Sequence, residues 1–221
     1  MKLLLNALIK FAAGLLLCGL MLFLPAWTLD YPGAWLFIAL LFIPMLILGV
    51  ILLVRSPSLL EKRLDAKEKR KTQRGVIALS ALIFPIGFIV AALDFRFAWS
   101  AVPTAVTVIA SVLFLVGYAM YAEVMRENEY LSRTIEVQSG QRVIDTGLYG
   151  IVRHPMYLAT LLMFLPLPLI LGSLYALIPF AVYPMIIILR IIDEERLLTR
   201  ELCGYSEYTK KVKYRLVPFI W

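Results

Sequence analysis

The sequence predicts an all-α, polytopic transmembrane bundle of about six spans, and three observations carry that prediction. Hydrophobic residues fill 62% of the 221 positions and charged residues only 17%, whereas soluble domains run near half apolar and a quarter charged. The apolar residues come in long blocks, not in the narrow stripes of soluble helices. The basic residues fall almost wholly in connections that an alternating six-span chain places on one side.

The blocks run approximately 9–28, 34–54, 76–93, 101–122, 157–171 and 174–192. They approach or reach the roughly 20 residues needed to cross about 30 Å of hydrocarbon. The fifth is short and holds Pro166 and Pro168, and Gly172-Ser173 follows it, so blocks five and six read as a tight helical hairpin. A Pro-broken helix survives in lipid only where neighbours satisfy its freed carbonyls. That favours a packed bundle over isolated spans.

Of the 22 Lys and Arg, only Arg96 falls in a connection on the far side. Lys2 and Lys10 lie at the amino terminus, eight more in 55–74, four in 124–156 and seven from Arg190 to Arg215. Positive residues collect on the cytoplasmic side. Both termini and the 55–74 and 124–156 loops are therefore expected to face the cytoplasm, in a cell (inner) membrane. The net charge of +7 is explained by a basic rim beside anionic lipid, and no nucleic-acid partner is needed. Residues 1–24 resemble a signal peptide but lack a convincing small-residue cleavage site, so a retained first helix is expected. Cys18 and Cys203 suggest no disulfide framework, and nothing near Cys203 has metal-ligand spacing.

The first half reads as scaffold. Within Ser56–Arg74, Leu59, Leu60 and Leu64 recur at helical spacing among many charges, the pattern of a short amphipathic helix on the inner membrane surface. The second half concentrates polar residues near the membrane. Glu127 to Tyr157 contains no run long enough to span, and loops of that length in compact proteins are usually functional or disordered. Apolar residues dispersed through this one point to ordering against the bundle. His154, the one histidine of the chain, precedes Pro155, and a proline fits the first turn of span five. The open helix end then forms a polar mouth suited to a carboxylate or other anion. Span six closes on Arg190, Asp193, Glu194 and Glu195; Arg190 and Glu194, four apart, share a helix face. An ordinary salt-bridged helix end would look the same, but charges leaving the bilayer beside a second polar site are costly unless used. The tail that follows could fold back over the mouth. Its Tyr205, Tyr208 and Tyr214 suit the interface.

The string Gly147-Leu-Tyr-Gly-Ile-Val-Arg-His-Pro-Met-Tyr157, followed by Asp193-Glu-Glu-Arg-Leu and Gly204-Tyr-Ser-Glu-Tyr208, resembles the isoprenylcysteine carboxyl methyltransferase family in its prokaryotic form. The wider group includes the phospholipid N-methyltransferases. The resemblance covers roughly 117–221 and divides the chain into a scaffold, 1–116, and a methyltransferase-like region, 117–221. It implies a membrane enzyme with its cofactor site on the cytoplasmic side of the C-terminal half, using S-adenosylmethionine and releasing S-adenosylhomocysteine. Family cofactor contacts match Gln141, Arg142, Val143, Ile144, Tyr149, His154, Pro155, Met156, Tyr157 and Glu194. Arg190 matches a residue associated with the substrate carboxylate.

The implied reaction is direct displacement at an activated methyl, where the protein supplies mainly orientation and electrostatics. A carboxylate nucleophile needs no general base and Arg190 would hold it; an amine must lose a proton, for which Glu195 is the nearest spare acceptor. Small isoprenoid acids, prenylated peptides and lipid amines all stay open as substrates. Two readings from other classes also stand: a sterol-type reductase using a nicotinamide dinucleotide phosphate, and a non-catalytic membrane scaffold.

Overall fold

The computed structural model describes residues 2–64, 71–132 and 135–221, and every regular element among them is a helix. Residues 65–70 of the expected amphipathic segment and 133–134 of the long loop lie outside the described residues. Among the described residues, four helices are long and apolar enough to cross a membrane: α1 (Lys2–Ala26), α2 (Pro32–Arg55), the Ser80–Phe97 portion of α4 (Lys71–Phe97), and α5 (Thr104–Glu127). The short α3 (Pro57–Leu64) follows α2 and buries Leu59 and Leu60 against Leu52 and Met125.

Blocks five and six form the expected hairpin, but neither is one continuous helix. The first arm is α6 (Pro155–Phe164) and α7 (Leu167–Ile170), interrupted at Pro166 and Pro168. Gly172, at φ +79°, turns the chain. The second arm is α8 (Leu177–Phe180) and α9 (Tyr183–Glu201), separated near Pro179 and Pro184. The break in the second arm goes beyond the sequence reading. It follows from the same chemistry, since each proline removes an N–H donor and its ring crowds the preceding turn. α9 also runs past position 192, so Asp193–Glu195 are helical. A last short helix, α10 (Tyr205–Lys211), precedes the tail.

α5 and α6 approach closely because Gly117 has no side chain. A Cβ there would meet the Ala159 carbonyl oxygen at 2.8 Å and Met163 Cγ at 2.9 Å. Small residues at such crossings let backbones pack where lipid offers no hydrophobic drive. Phe37, Phe114, Leu167, Ile170 and Phe180 fill the interior of the bundle. Large apolar side chains such as Leu16, Val54, Ile109 and Met185 lie exposed on the outside, the inverse of a soluble surface and the form a lipid-facing wall takes.

At one end, Tyr31 Oη donates to the Leu171 carbonyl at 2.7 Å. Asp94 accepts from the Ser100 backbone N–H at 2.7 Å, from Ser100 Oγ at 2.6 Å and from Ser173 Oγ. The connections after α1, α4 and α7 thus meet at one end. At the other, Lys62 Nζ donates to the Glu129 carbonyl at 3.2 Å and joins α3 to the segment after α5. Alternation through the bundle is what the six-block reading requires.

Candidate functional site

The segment between α5 and α6 is held at the basic end by its own side chains. Asn128 Oδ1 accepts from the Tyr130 N–H at 3.0 Å while its Nδ2 donates to Tyr149 Oη at 2.9 Å. Gln138 Nε2 donates to the Tyr130 carbonyl at 2.6 Å, and the Gln138 N–H to Gln141 Oε1 at 2.9 Å. Thr146 Oγ1 donates to Glu127 Oε1 at 2.7 Å. The Glu127 carboxylate sits where a Cβ on Gly147 would be, 2.3 Å from the nearer oxygen, and Gly147 has φ +49°. A side chain there would be strained by the positive φ and would displace the Glu127 carboxylate. The turn Gly147–Gly150 buries Tyr149. The Arg153 and His154 N–H groups then donate to the Tyr214 and Arg215 carbonyls, each at 2.9 Å. Pro155 starts α6 at its first turn, as expected from its place in the sequence.

These elements enclose a cavity of about 400 Å³, within the range of small-molecule and cofactor sites. Gln141, Arg142, Val143, Ile144, Tyr149, His154, Pro155, Met156, Tyr157, Arg190 and Glu194 all line it. Along α9 the lining residues are Tyr183, Ile186, Ile187, Arg190, Glu194 and Leu198, one stripe at helical spacing. It grades from aromatic and aliphatic through a cation to an anion towards the basic end.

Arg190 and Glu194 are joined through Tyr157. Its hydroxyl donates to Glu194 Oε2 at 2.6 Å and accepts from Arg190 Nε at 3.4 Å. Glu195 is not among the residues that line the cavity. Its Oε1 lies 2.8 Å from Arg153 Nε and 3.2 Å from His154 Nε2, and its Oε2 accepts from Arg215 Nε at 2.8 Å. Burial pushes its carboxyl up, but the hydrogen bonds from His154 and Arg215 and the charge of Arg153 outweigh that and hold it at about 2. The sequence-based expectation of Glu195 as a proton acceptor therefore meets a carboxylate already committed to cations.

Sequence reasoning missed part of the wall. Arg63, Ser80 and Phe84 reach it from the first half, so the cavity is not confined to 117–221; Thr160, Tyr183, Ile186 and Ile187 line it from the hairpin. Arg63 donates to Tyr121 Oη and, at 3.1 Å, to the Ser132 carbonyl. Tyr205 and Tyr208, read as interface aromatics, are only 4% and 6% exposed and line the cavity. Tyr208 Oη donates to the Tyr149 carbonyl at 2.7 Å. Burial pushes the phenols of Tyr149, Tyr205 and Tyr208 up, so they stay neutral donors. For α9 the missed signal was available, since the spacing of Arg190 and Glu194 extends back through Ile187 and Ile186 to Tyr183.

The donor set suits S-adenosylmethionine. Glu194 can accept from an ammonium or ribose hydroxyl, and the tyrosine rings offer stacking and cation–π surface to an adenine and a sulfonium. Tyr205 Oη is buried without a hydrogen-bond partner among the described residues, which suits a ligand polar atom, because a buried hydroxyl left unpaired is costly.

The chain is 33% identical over 91 residues to the Delta(14)-sterol reductase TM7SF2 of Mus musculus. That stretch is 40% of this chain and 22% of the reductase, so the chain spans about a fifth of the relative it matches. Residues 105–204 match the phospholipid methyltransferase family. That match takes in the hairpin, Tyr157, Arg190 and Glu194.

Proposed function

We propose that the chain uses S-adenosylmethionine to methylate the carboxylate of a lipophilic substrate, isoprenylcysteine-like or a small isoprenoid acid, at the basic and cytoplasmic end of the bundle. The observation that carries this reading is the graded stripe on α9. Glu194 lies nearer the water from which a soluble cofactor arrives. Arg190 lies one turn deeper, where the head group of a lipid substrate stops, and Ile187, Ile186 and Tyr183 continue into the apolar interior.

When bound, S-adenosylmethionine supplies a methyl group already activated for transfer. Glu194 and the backbone of 141–144 bind and orient it, with Tyr149 and Tyr157 beside it. Arg190 holds the acceptor carboxylate and neutralises it until it is aligned, so the protein works by orientation and fixed charge. His154 closes the near wall, and its ring is set by Glu195. A carboxylate acceptor needs no proton removed. That favours ester formation here, because Glu195 is engaged by Arg153, His154 and Arg215.

Methylation of a lipid amine is a second reading, favoured by the match to phospholipid methyltransferases. Tritiated methyl transfer to endogenous lipids separates the two: a methyl ester releases its label as methanol in alkali, and an N-methyl group does not. The resemblance to a sterol reductase supports a third reading, with a nicotinamide dinucleotide phosphate in the cavity. Thermal stabilisation of the purified protein by S-adenosylhomocysteine and not by NADPH supports the methyltransferase reading, since only a ligand that prefers the folded state raises its stability. The reverse result overturns it.

A further inference from the structure

We propose that Phe84 is the end-stop of a tail slot in this cavity and so sets how long an apolar chain the substrate can carry; this rests on the reading that a lipophilic substrate occupies the cavity. The slot begins at Arg190, where a head group is held. From there Ile187, Ile186 and Tyr183 line it along α9. Seven residues of helix separate Arg190 from Tyr183, a depth of roughly 10 Å. Half the hydrocarbon core of a bilayer is about 15 Å, so the slot takes a short tail and not an extended acyl chain of a membrane phospholipid.

Phe84 of α4 faces the end of that stripe and lines the same cavity. Its ring meets Tyr183 at 5.7 Å, Phe164 at 4.9 Å and Phe180 at 5.4 Å between centroids, each edge to face. Edge-to-face rings hold one another in place as well as excluding solvent. The cluster has no room to retreat. Phe180 is pressed on α4 where Gly87 leaves a gap, and a Cβ at Gly87 would stand 2.2 Å from Phe180 Cε2. The wall behind the slot is therefore a packed ring cluster that yields only if Phe84 itself changes size. Phe84 lies outside residues 105–204, the stretch matched by the methyltransferase family. The chain thus combines a cofactor site built in its second half with a stop supplied by its first.

The test measures thermal stabilisation of the full chain in lipid nanodiscs by S-alkylthioacetic acids and by n-alkylamines of graded tail length. It compares wild type with Phe84→Leu and Phe84→Trp. The wild type is expected to show an optimum, each methylene beyond it weakening binding by about tenfold. Phe84→Leu moves the optimum to longer tails and Phe84→Trp to shorter ones. Loss of fold cannot shift the optimum in opposite directions, and melting without ligand reads stability separately. The same optimum in all three proteins overturns the proposal. So does binding that rises steadily with tail length in each, or the absence of binding in both series. If the optimum shifts as expected while S-adenosylhomocysteine gives no stabilisation, the stop stands and the methyltransferase reading falls.

Discussion

The hydroxyl of Tyr157 stands between Glu194 and Arg190, donating to Glu194 Oε2 at 2.6 Å and accepting from Arg190 Nε at 3.4 Å. One phenol thus orients an anion and a cation that are a helical turn apart on α9 and that serve different ligands in the proposed reaction. Their roles separate by substitution. Glu194→Ala should weaken S-adenosylhomocysteine binding by about 1–3 kcal/mol, the value of a charge-assisted hydrogen bond. Arg190→Ala should leave that binding nearly intact and abolish methyl transfer. Titration calorimetry on both variants decides the matter: equal losses of cofactor affinity would make Arg190 a structural partner of Glu194 through Tyr157.

Topology has a built-in reporter. Cys203 is exposed and lies at the basic end, while Cys18 is buried. A membrane-impermeant maleimide added to intact cells should leave Cys203 unlabelled and should label Ala101→Cys in the connection between α4 and α5. Labelling of Cys203 with Ala101→Cys protected would invert the orientation expected from the positive charges.

The fold was legible wherever chemistry is local. Block length marked the spans, Gly172-Ser173 marked the hairpin turn, and Pro155 marked the start of α6 because its ring suits a first turn and nothing later. The residues quoted from the 141–157 segment and from Glu194 gather around one cavity for the same reason: motif spacing places them at neighbouring helix ends. What stayed hidden depends on partners distant in sequence. Phe84 and Arg63 look like a span residue and a surface charge until α3 and α4 are packed against α5 and α9. Tyr205 and Tyr208 looked like interface aromatics because nothing local shows that α10 folds under Tyr149. Glu195 looked spare because Arg153 and Arg215 find it only when the tail pairs with the backbone before α6.

The Gly117 crossing carries the site as well as the fold. A methyl group there meets the Ala159 carbonyl at 2.8 Å, and backbone cannot swing aside as a side chain can. Gly117→Ala should destabilise the protein by about 1–3 kcal/mol through overpacking. It should also weaken S-adenosylhomocysteine binding, because α6 carries Tyr157. A variant that melts like wild type and binds normally would show that α5 and α6 can separate without moving the cavity wall.

Glu195 offers the sharpest pH test, because its proposed role is to position and not to react. Its carboxyl is held at about 2 in the folded protein, down from the usual 4.5. A folded-state value below the unfolded one means that the unfolded chain binds the extra proton, so stability rises with pH through this window. The contribution is full above about pH 4.5 and is lost as pH falls toward about 2. The shift corresponds to at most about 3–4 kcal/mol, and solvent screening at this partly exposed helix end reduces it to about 1–2 kcal/mol. Wild-type melting points should therefore fall on acidification below pH 4.5, and Glu195→Gln should lose that part of the slope. The same variant should loosen the hold on His154 and on the Tyr214–Arg215 strap, and weaken cofactor binding with no direct contact to the cavity. If Glu195→Gln instead keeps the wild-type pH profile and cofactor affinity but loses methyl transfer to an amine, Glu195 is the proton acceptor after all, and the amine reading takes the place of the ester one.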